Sequence, residues 1–281
     1  MKEINSRILL IRCPDSSGLI YKITGCLFQM GANIVNNQEF VDYPASTFFM
    51  RTEFTGPIDE NMLLSQLKNL LPEGSDLNLS PLRKPRIAIL VTKEAHCLGD
   101  LLIRHRFGEL DMELVGVAGN RSDLEDLVND FHLPFTLIST EDRSREEQEK
   151  ELEEYLTSLD PDLIILAKYM RILSPEFVRK WDKKILNIHH SFLPAFKGAR
   201  PYMQAYERGV KVIGATAHFV TENLDEGPIV VQDVIPVDHS YDPDRLFLFG
   251  RDLEKIVLAK ALRLLLERRV IHFKNRTIVF E

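Results

Sequence analysis

A chain of 281 residues exceeds the usual size of one compact domain, and 44% hydrophobic with 27% charged residues supports a buried core and excludes disorder. The formal net charge of -7 gives no general attraction to phosphate backbones, so nucleic acid is not an expected partner. No apolar run reaches the roughly 20 residues needed to span a bilayer, and the opening segment, with Lys2, Glu3 and Asn5, lacks a signal peptide's apolar core. The chain is therefore expected to be cytoplasmic, with no membrane partner. Cys13, Cys26 and Cys97 are odd in number and widely spaced, which fits buried small hydrophobes better than a disulfide framework or a metal pair.

Residues 7–12 are rich in Ile and Leu and run into the turn cluster Cys13-Pro14-Asp15-Ser16-Ser17-Gly18, so a strand is expected to enter a helix there, with the cluster supplying its N-cap. Leu19, Ile23, Leu27 and Met30 recur at helical spacing until Gly31. Residues 34–43 and 47–54 read as paired strands, 62–71 as an amphipathic helix and 76–79 as a short strand. The order strand, helix, strand, strand, helix, strand is the ferredoxin-like α+β topology. The segments Asp15-Ser16-Ser17-Gly18-Leu19-Ile20 and Gly31-Ala32-Asn33-Ile34 resemble the ACT family of small-ligand regulatory modules. That resemblance covers residues 1–80. It implies an amino-acid effector near Asp15, Ser16, Gly18 and Asn33, and pairing of modules into a homo-oligomer. The same residues also suit plain helix capping and close packing.

Pro81-Leu82-Arg83-Lys84-Pro85 fits an extended connector, which places a linker at 81–85 and a second domain at 86–281. Strands are expected at 87–91, 114–118, 135–138 and 163–167, with helices at 97–104, 124–130 and 141–159 between them. Apolar strands alternating with helices give a Rossmann-like, mostly parallel sheet covered on both faces. The loop Thr92-Lys93-Glu94-Ala95-His96 contains no glycine, which argues against a dinucleotide or nucleoside-triphosphate cradle.

The stretch Lys184-Ile185-Leu186-Asn187-Ile188-His189 reads as a buried strand with polar residues near its carboxyl end, where open α/β sheets place ligands. Side chains two apart share a face, so Asn187 and His189 are expected to enter one cleft. His189 and His190 are adjacent and face opposite ways, and no HxxxH or cysteine set accompanies them, so no metal is expected. Strands at 212–220 and 229–237 flank the turn Thr221-Glu222-Asn223-Leu224-Asp225-Glu226-Gly227-Pro228, in which Asp225 and Gly227 suit the backbone of a turn. A helix at 245–268 and two further strands close the chain, with no chemistry assigned to them.

Leu186-Asn187-Ile188-His189, residues 214–220 and Leu224-Asp225-Glu226-Gly227-Pro228 resemble, in order and spacing, the folate-dependent formyltransferase family, and Tyr169-Met170-Arg171-Ile172-Leu173-Ser174-Pro175 matches its folate-site segment. The resemblance implies that Asn187, His189 and Asp225 are catalytic. It further implies that Met170, Arg171, Ile172, Leu173, Asn223, Leu224 and Gly227 bind 10-formyltetrahydrofolate, a substrate rather than a prosthetic group. Lys197 and Arg200 either meet the folate's glutamate tail or are solvated loop cations.

A formyl group on N10 is an activated amide whose attack creates an oxyanion, for which Asn187 offers an N–H donor. His189 suits acid/base work, and Asp225 can orient it or assist proton transfer from water. These three residues do not distinguish an amine acceptor from water. Two features favour water: the first-strand loop lacks the glycines that purine-pathway members use to hold a phosphorylated acceptor, and the arrangement of an ACT-like module ahead of the catalytic domain resembles the hydrolytic branch of the family, a resemblance that implies water as the acceptor. The expected activity is hydrolysis to tetrahydrofolate and formate, which balances the one-carbon pool linked to purine synthesis. Transfer to a small amine and a non-catalytic amino-acid sensor are the alternatives.

Overall fold

The computed structural model describes residues 6–195 and 201–281; Lys197 and Arg200 lie outside the described residues. The chain divides into two compact units, Met1–Arg83 with Phe280–Glu281, and Lys84–Val279.

The first unit contains β1 (Arg7–Pro14), α1 (Leu19–Gln29), β2 (Asn33–Asp42), β3 (Thr47–Thr55), α2 (Glu60–Leu70) and β4 (Asp76–Leu79). Its sheet has the order β2-β3-β1-β4 with antiparallel pairing throughout, which is the ferredoxin-like arrangement. Alternate β1 residues Leu9, Ile11 and Cys13 are buried, and they pack with Ile23 and Leu27 of α1 and Leu63 and Leu67 of α2. The start of α1 differs from the sequence expectation. Gly18, at φ 82, stands at the N-cap without a side-chain cap, because the residue there is left-handed and Asp15 is instead held by a backbone bond to Ser46.

The second unit contains β5 (Arg86–Val91), α3 (Ala95–Arg106), β6 (Glu113–Gly119), α4 (Glu125–Asp130), β7 (Phe135–Leu137), α5 (Arg145–Leu159) and β8 (Leu163–Leu166). It continues through α6 (Pro175–Lys180), β9 (Ile185–His189), α7 (Pro201–Glu207), β10 (Val212–Phe219), β11 (Ile229–Pro236), α8 (Pro243–Leu266), β12 (Val270–Phe273) and β13 (Arg276–Val279). Helix α6 has no counterpart among the expected elements; Ser174 caps it by accepting from Phe177 N, and Pro175 occupies its first turn. The seven-stranded sheet has the order β11-β10-β9-β8-β5-β6-β7. Pairing is parallel from β9 to β7, and β10 runs against both of its neighbours. Ala88 and Leu90 join the core on one face of β5, while Ile87, Ile89 and Val91 join that on the other. A strand buried on both faces is why 87–91 reads as an unbroken apolar run rather than an alternating one.

From β5 the chain passes to β6 and β7 on one side, then returns to β8 and β9 on the other. The carboxyl ends of β5 and β8 therefore diverge at a topological switch point, the place where such sheets open a crevice. Among the described residues, no helix is long and apolar enough to cross a membrane.

Candidate active site

The antiparallel register between β9 and β10 builds the site, since it sets His218 opposite Asn187 and Thr216 opposite His189. All four side chains share one face of the sheet because partners in register and residues two apart point the same way. The loop from Thr221 to Pro228 then brings Asp225 over that face. Asp225 adopts φ 56, a left-handed conformation that aspartate tolerates better than most side chains. Gly227 is buried where an added Cβ would stand 1.8 Å from the Phe219 carbonyl oxygen. Gly227 therefore shapes the backbone under Asp225 and has no side chain to offer a ligand.

His189 is buried, with Nδ1 3.3 Å from Asp225 Oδ1. Its other ring nitrogen, Nε2, is also buried and makes no hydrogen bond. Such a nitrogen is the one positioned to exchange a proton with a reactant, while the carboxylate fixes the ring and its tautomer. Burial works against the Asp225 carboxylate, but the bond and charge of His189, with smaller effects from His218 and His190, hold its pKa below the ordinary value. It is an anion at neutral pH.

Asn187 is oriented by a residue the sequence reading missed. His218 Nδ1 donates to the Phe219 carbonyl oxygen at 2.9 Å, which leaves Nε2 as an acceptor 3.2 Å from Asn187 Nδ2. A flipped amide would turn its oxygen toward that lone pair, so His218 selects one orientation and leaves the second Nδ2–H of Asn187 for a ligand. Burial pushes the His218 pKa down, against its backbone bond and Asp225, in keeping with a neutral ring. The signal for His218 lay in Thr216 and His218, two polar residues at strand spacing within the otherwise apolar run of residues 213–219.

Thr216 supports the loop that follows β9. Its hydroxyl donates to Ser191 O at 2.8 Å and accepts from Leu193 N at 3.1 Å, and Gln232 Nε2 bridges Leu193 O and the same hydroxyl at 2.9 Å each. Contrary to the expectation that His189 and His190 face opposite ways, the two rings stack with centroids 5.0 Å apart, because β9 ends at His189 and strand alternation does not extend to His190. Burial, the Lys168 ammonium and His189 push the His190 pKa down to about 3, so His189 has an uncharged neighbour.

The expected folate-binding residues separate into two groups. Met170, Ile172 and Leu224 are exposed apolar side chains at 56%, 63% and 56%, suited to cover a planar ring. Arg171 and Asn223 are also exposed. The Leu173 side chain is buried with Tyr169, Phe177, Val178 and Trp181, where it anchors the segment and leaves its backbone to face a ligand. Among the residues expected to meet an effector, Asn33 lines a groove of about 420 Å³ with Tyr21, Thr24, Phe28 and Ile34. Asp15, Ser16 and Gly18 are exposed on the turn before α1 and do not line that groove.

One set of possible metal donors exists among the described residues: His96, Cys97 and Glu254. Two of these donors, His96 and Glu254, are already engaged. His96 Nε2 lies 2.7 Å from Glu254 Oε2, the Lys168 ammonium lies 3.1 Å from the same oxygen, and burial keeps the Cys97 thiol protonated by raising its pKa. An ammonium against the carboxylate is the arrangement of an ion pair, not of a vacant ligand set.

Residues 85–262 match the formyl transferase family. A formyltetrahydrofolate deformylase from Escherichia coli is 52% identical over 99% of this chain and 100% of its own length. One from Bacillus subtilis is 43% identical over 97% of this chain and 93% of its own. The crystal structure of a formyltetrahydrofolate deformylase from Pseudomonas syringae superimposes with a TM-score of 0.94 at 37% identity, covering 98% of this chain and 94% of that one. A glycinamide ribonucleotide transformylase from Symbiobacterium toebii gives 0.68 at 30% identity and covers 75% of this chain and 100% of its own.

Proposed function

The chain belongs to the formyltetrahydrofolate deformylase family, and from that premise we propose that it hydrolyses 10-formyltetrahydrofolate to tetrahydrofolate and formate through Asn187, His189 and Asp225. The observation that carries the assignment of residues is the convergence of three groups on one face. They are an oriented amide donor, an imidazole nitrogen without a partner, and a carboxylate on the far ring nitrogen.

In this reading the formyl carbon lies beside Asn187 Nδ2–H, which stabilises the oxyanion that forms when water attacks. The pair of His189 and Asp225 takes the proton lost by that water. His189 Nε2 then delivers a proton to N10 as the carbon–nitrogen bond breaks, so formate leaves and N10 becomes an amine. Met170, Ile172 and Leu224 cover the pterin, with Arg171 and Asn223 as polar neighbours. No metal enters the reaction. The products return free folate to the one-carbon pool on which purine synthesis draws, in the cytoplasm.

The N-terminal unit is proposed to be an ACT-like regulatory module in a homo-oligomer. Its groove beside Asn33 supports a small amino-acid ligand, and titration of free amino acids against melting temperature and formate release tests this. No response to any of them would reject it.

The catalytic assignment is tested by assaying formate release with no amine present. Asn187→Ala is expected to lower kcat by about a hundred- to a thousandfold, the cost of removing one oxyanion donor. His189→Ala is expected to abolish turnover while the variant still melts cooperatively. Turnover of the parent only when an amine is added would favour the transferase class, and no turnover at all would favour a sensor.

A further inference from the structure

Near the switch point between β5 and β8, charged side chains from separate segments of the chain meet one another. Lys168 follows β8 at φ 63 and His96 follows β5 at the start of α3. Glu254 reaches them from α8 and is 1% exposed. Its Oε2 meets His96 Nε2 at 2.7 Å and Lys168 Nζ at 3.1 Å, while its Oε1 accepts from the Tyr202 hydroxyl at 2.7 Å. Arg251 Nε donates to His96 Nδ1 at 3.2 Å, and Glu94 Oε2 lies 3.8 Å from the same nitrogen, so the ring is held from both sides.

Two further observations mark this cluster as a built feature. An added Cβ on Gly250, one turn before Glu254, would lie 2.0 Å from the Tyr202 hydroxyl, so the glycine makes room for the tyrosine to reach the carboxylate. Moreover, burying an ion pair costs several kcal/mol of desolvation per ion, roughly cancelling its attraction, so stability alone does not account for placing one where a ligand crevice opens.

The cluster also adjoins the reacting groups. The Tyr202 ring lies 6.1 Å from His190, whose ring stacks on His189. Asp225 meets the same imidazole at Nδ1, at 3.3 Å.

We propose that Lys168, Glu254, His96 and Tyr202 occupy the crevice in which an acceptor amine would otherwise sit, and so are the residues that restrict the acceptor to water. Water needs no crevice of that size to reach the formyl carbon beside Asn187 and His189. An amine acceptor must bring its own substituents, and they meet the Glu254 carboxylate already bound by His96, Lys168 and Tyr202. Were an amine admitted, its nitrogen would bond to the formyl carbon and the bond to N10 would break. The amine's proton would end on N10, giving one formylated amine per tetrahydrofolate.

The inference rests on the hydrolytic reading, and its test is arranged to fail separately from it. Parent and variants are given 10-formyltetrahydrofolate with glycinamide or hydroxylamine, and formate and formylated amine are measured in the same reaction. The double variant Lys168→Ala with Glu254→Ala removes both charges together and opens the crevice. It is expected to raise the ratio of formylated amine to formate at least about tenfold, the discrimination that small changes of pocket volume carry. A closed control, Lys168→Met with Glu254→Leu, is expected to keep the parent ratio. An unchanged ratio in the folded alanine pair overturns the inference, as does a ratio in the apolar pair equal to that of the alanine pair. If the alanine pair does not fold, Tyr202→Ala decides by the same criterion, since it opens the crevice toward His190 and leaves Glu254 its other two partners. Formate release by the parent without amine stands or falls independently of these ratios.

Discussion

Replacing His218 by Leu removes the acceptor that selects the orientation of Asn187 while keeping an apolar side chain in a position only 2% exposed. The hydrogen bond from Asn187 Nδ2, 3.2 Å long, is neutral to neutral. Such a bond contributes about 1 kcal/mol net, a bias of about fivefold toward the productive amide. Complete loss of an oxyanion donor lowers kcat by about a hundred- to a thousandfold. A misoriented but present amide falls between these limits, so His218→Leu is expected to lower kcat by roughly 5- to 100-fold and less than Asn187→Ala does. KM is expected to change by less than about twofold, because His218 orients a group whose bond strengthens in the transition state. Stability also falls, by about 1–3 kcal/mol, since the Phe219 carbonyl oxygen loses its donor in a buried position. The assay is steady-state formate release over a range of substrate concentrations, with thermal melting to confirm folding. His218→Gln, whose amide oxygen can accept from Asn187, is expected to recover part of kcat. A folded His218→Leu enzyme with kcat within about twofold of the parent would refute the orienting role.

Gly227→Ala places a Cβ 1.8 Å from a backbone oxygen, so it is expected to lower the melting temperature and cut kcat by displacing Asp225; normal melting and turnover would show that the loop relaxes freely. His190 gives a pH test with a definite sign. Its folded pKa is depressed from 6.5 to about 3, so between these values the unfolded chain binds a proton that the native state does not. Stability therefore falls as pH drops through that window, by about 1.4 kcal/mol per pH unit for one proton. Urea unfolding at several pH values is expected to show a shallower acid slope for His190→Gln, and an equal slope would contradict this. Dialysis against a strong chelator is expected to leave formate release unchanged, whereas a loss restored by zinc would assign a metal to the His96, Cys97 and Glu254 set.

The sequence made local features legible and left long-range ones hidden. Alternation in Leu186-Asn187-Ile188-His189 set Asn187 and His189 on one face, and the turn chemistry around Asp225 and Gly227 located the loop. His218 was not singled out, because its importance depends on a strand register that pairs it with Asn187 across a separation of 31 residues. Lys168, His96, Tyr202 and Glu254 gave no local signal for the same reason: they come from four separate segments that only the parallel sheet brings together. Leu173 and Gly227 were drawn into the binding set by the motifs around them. Burial of the leucine side chain and the closeness of Gly227 to Phe219 leave only the backbone of either residue to meet a ligand.

Hydrolysis by a metal-free amide, imidazole and carboxylate is the central claim. Its most direct test is turnover of 10-formyltetrahydrofolate in oxygen-18 water, without amine, with mass analysis of the products. Tetrahydrofolate and formate are expected in equal amounts, with one labelled oxygen in each formate and loss of both products in His189→Ala. Absence of formate until an amine is supplied, or formate without the label, would contradict it.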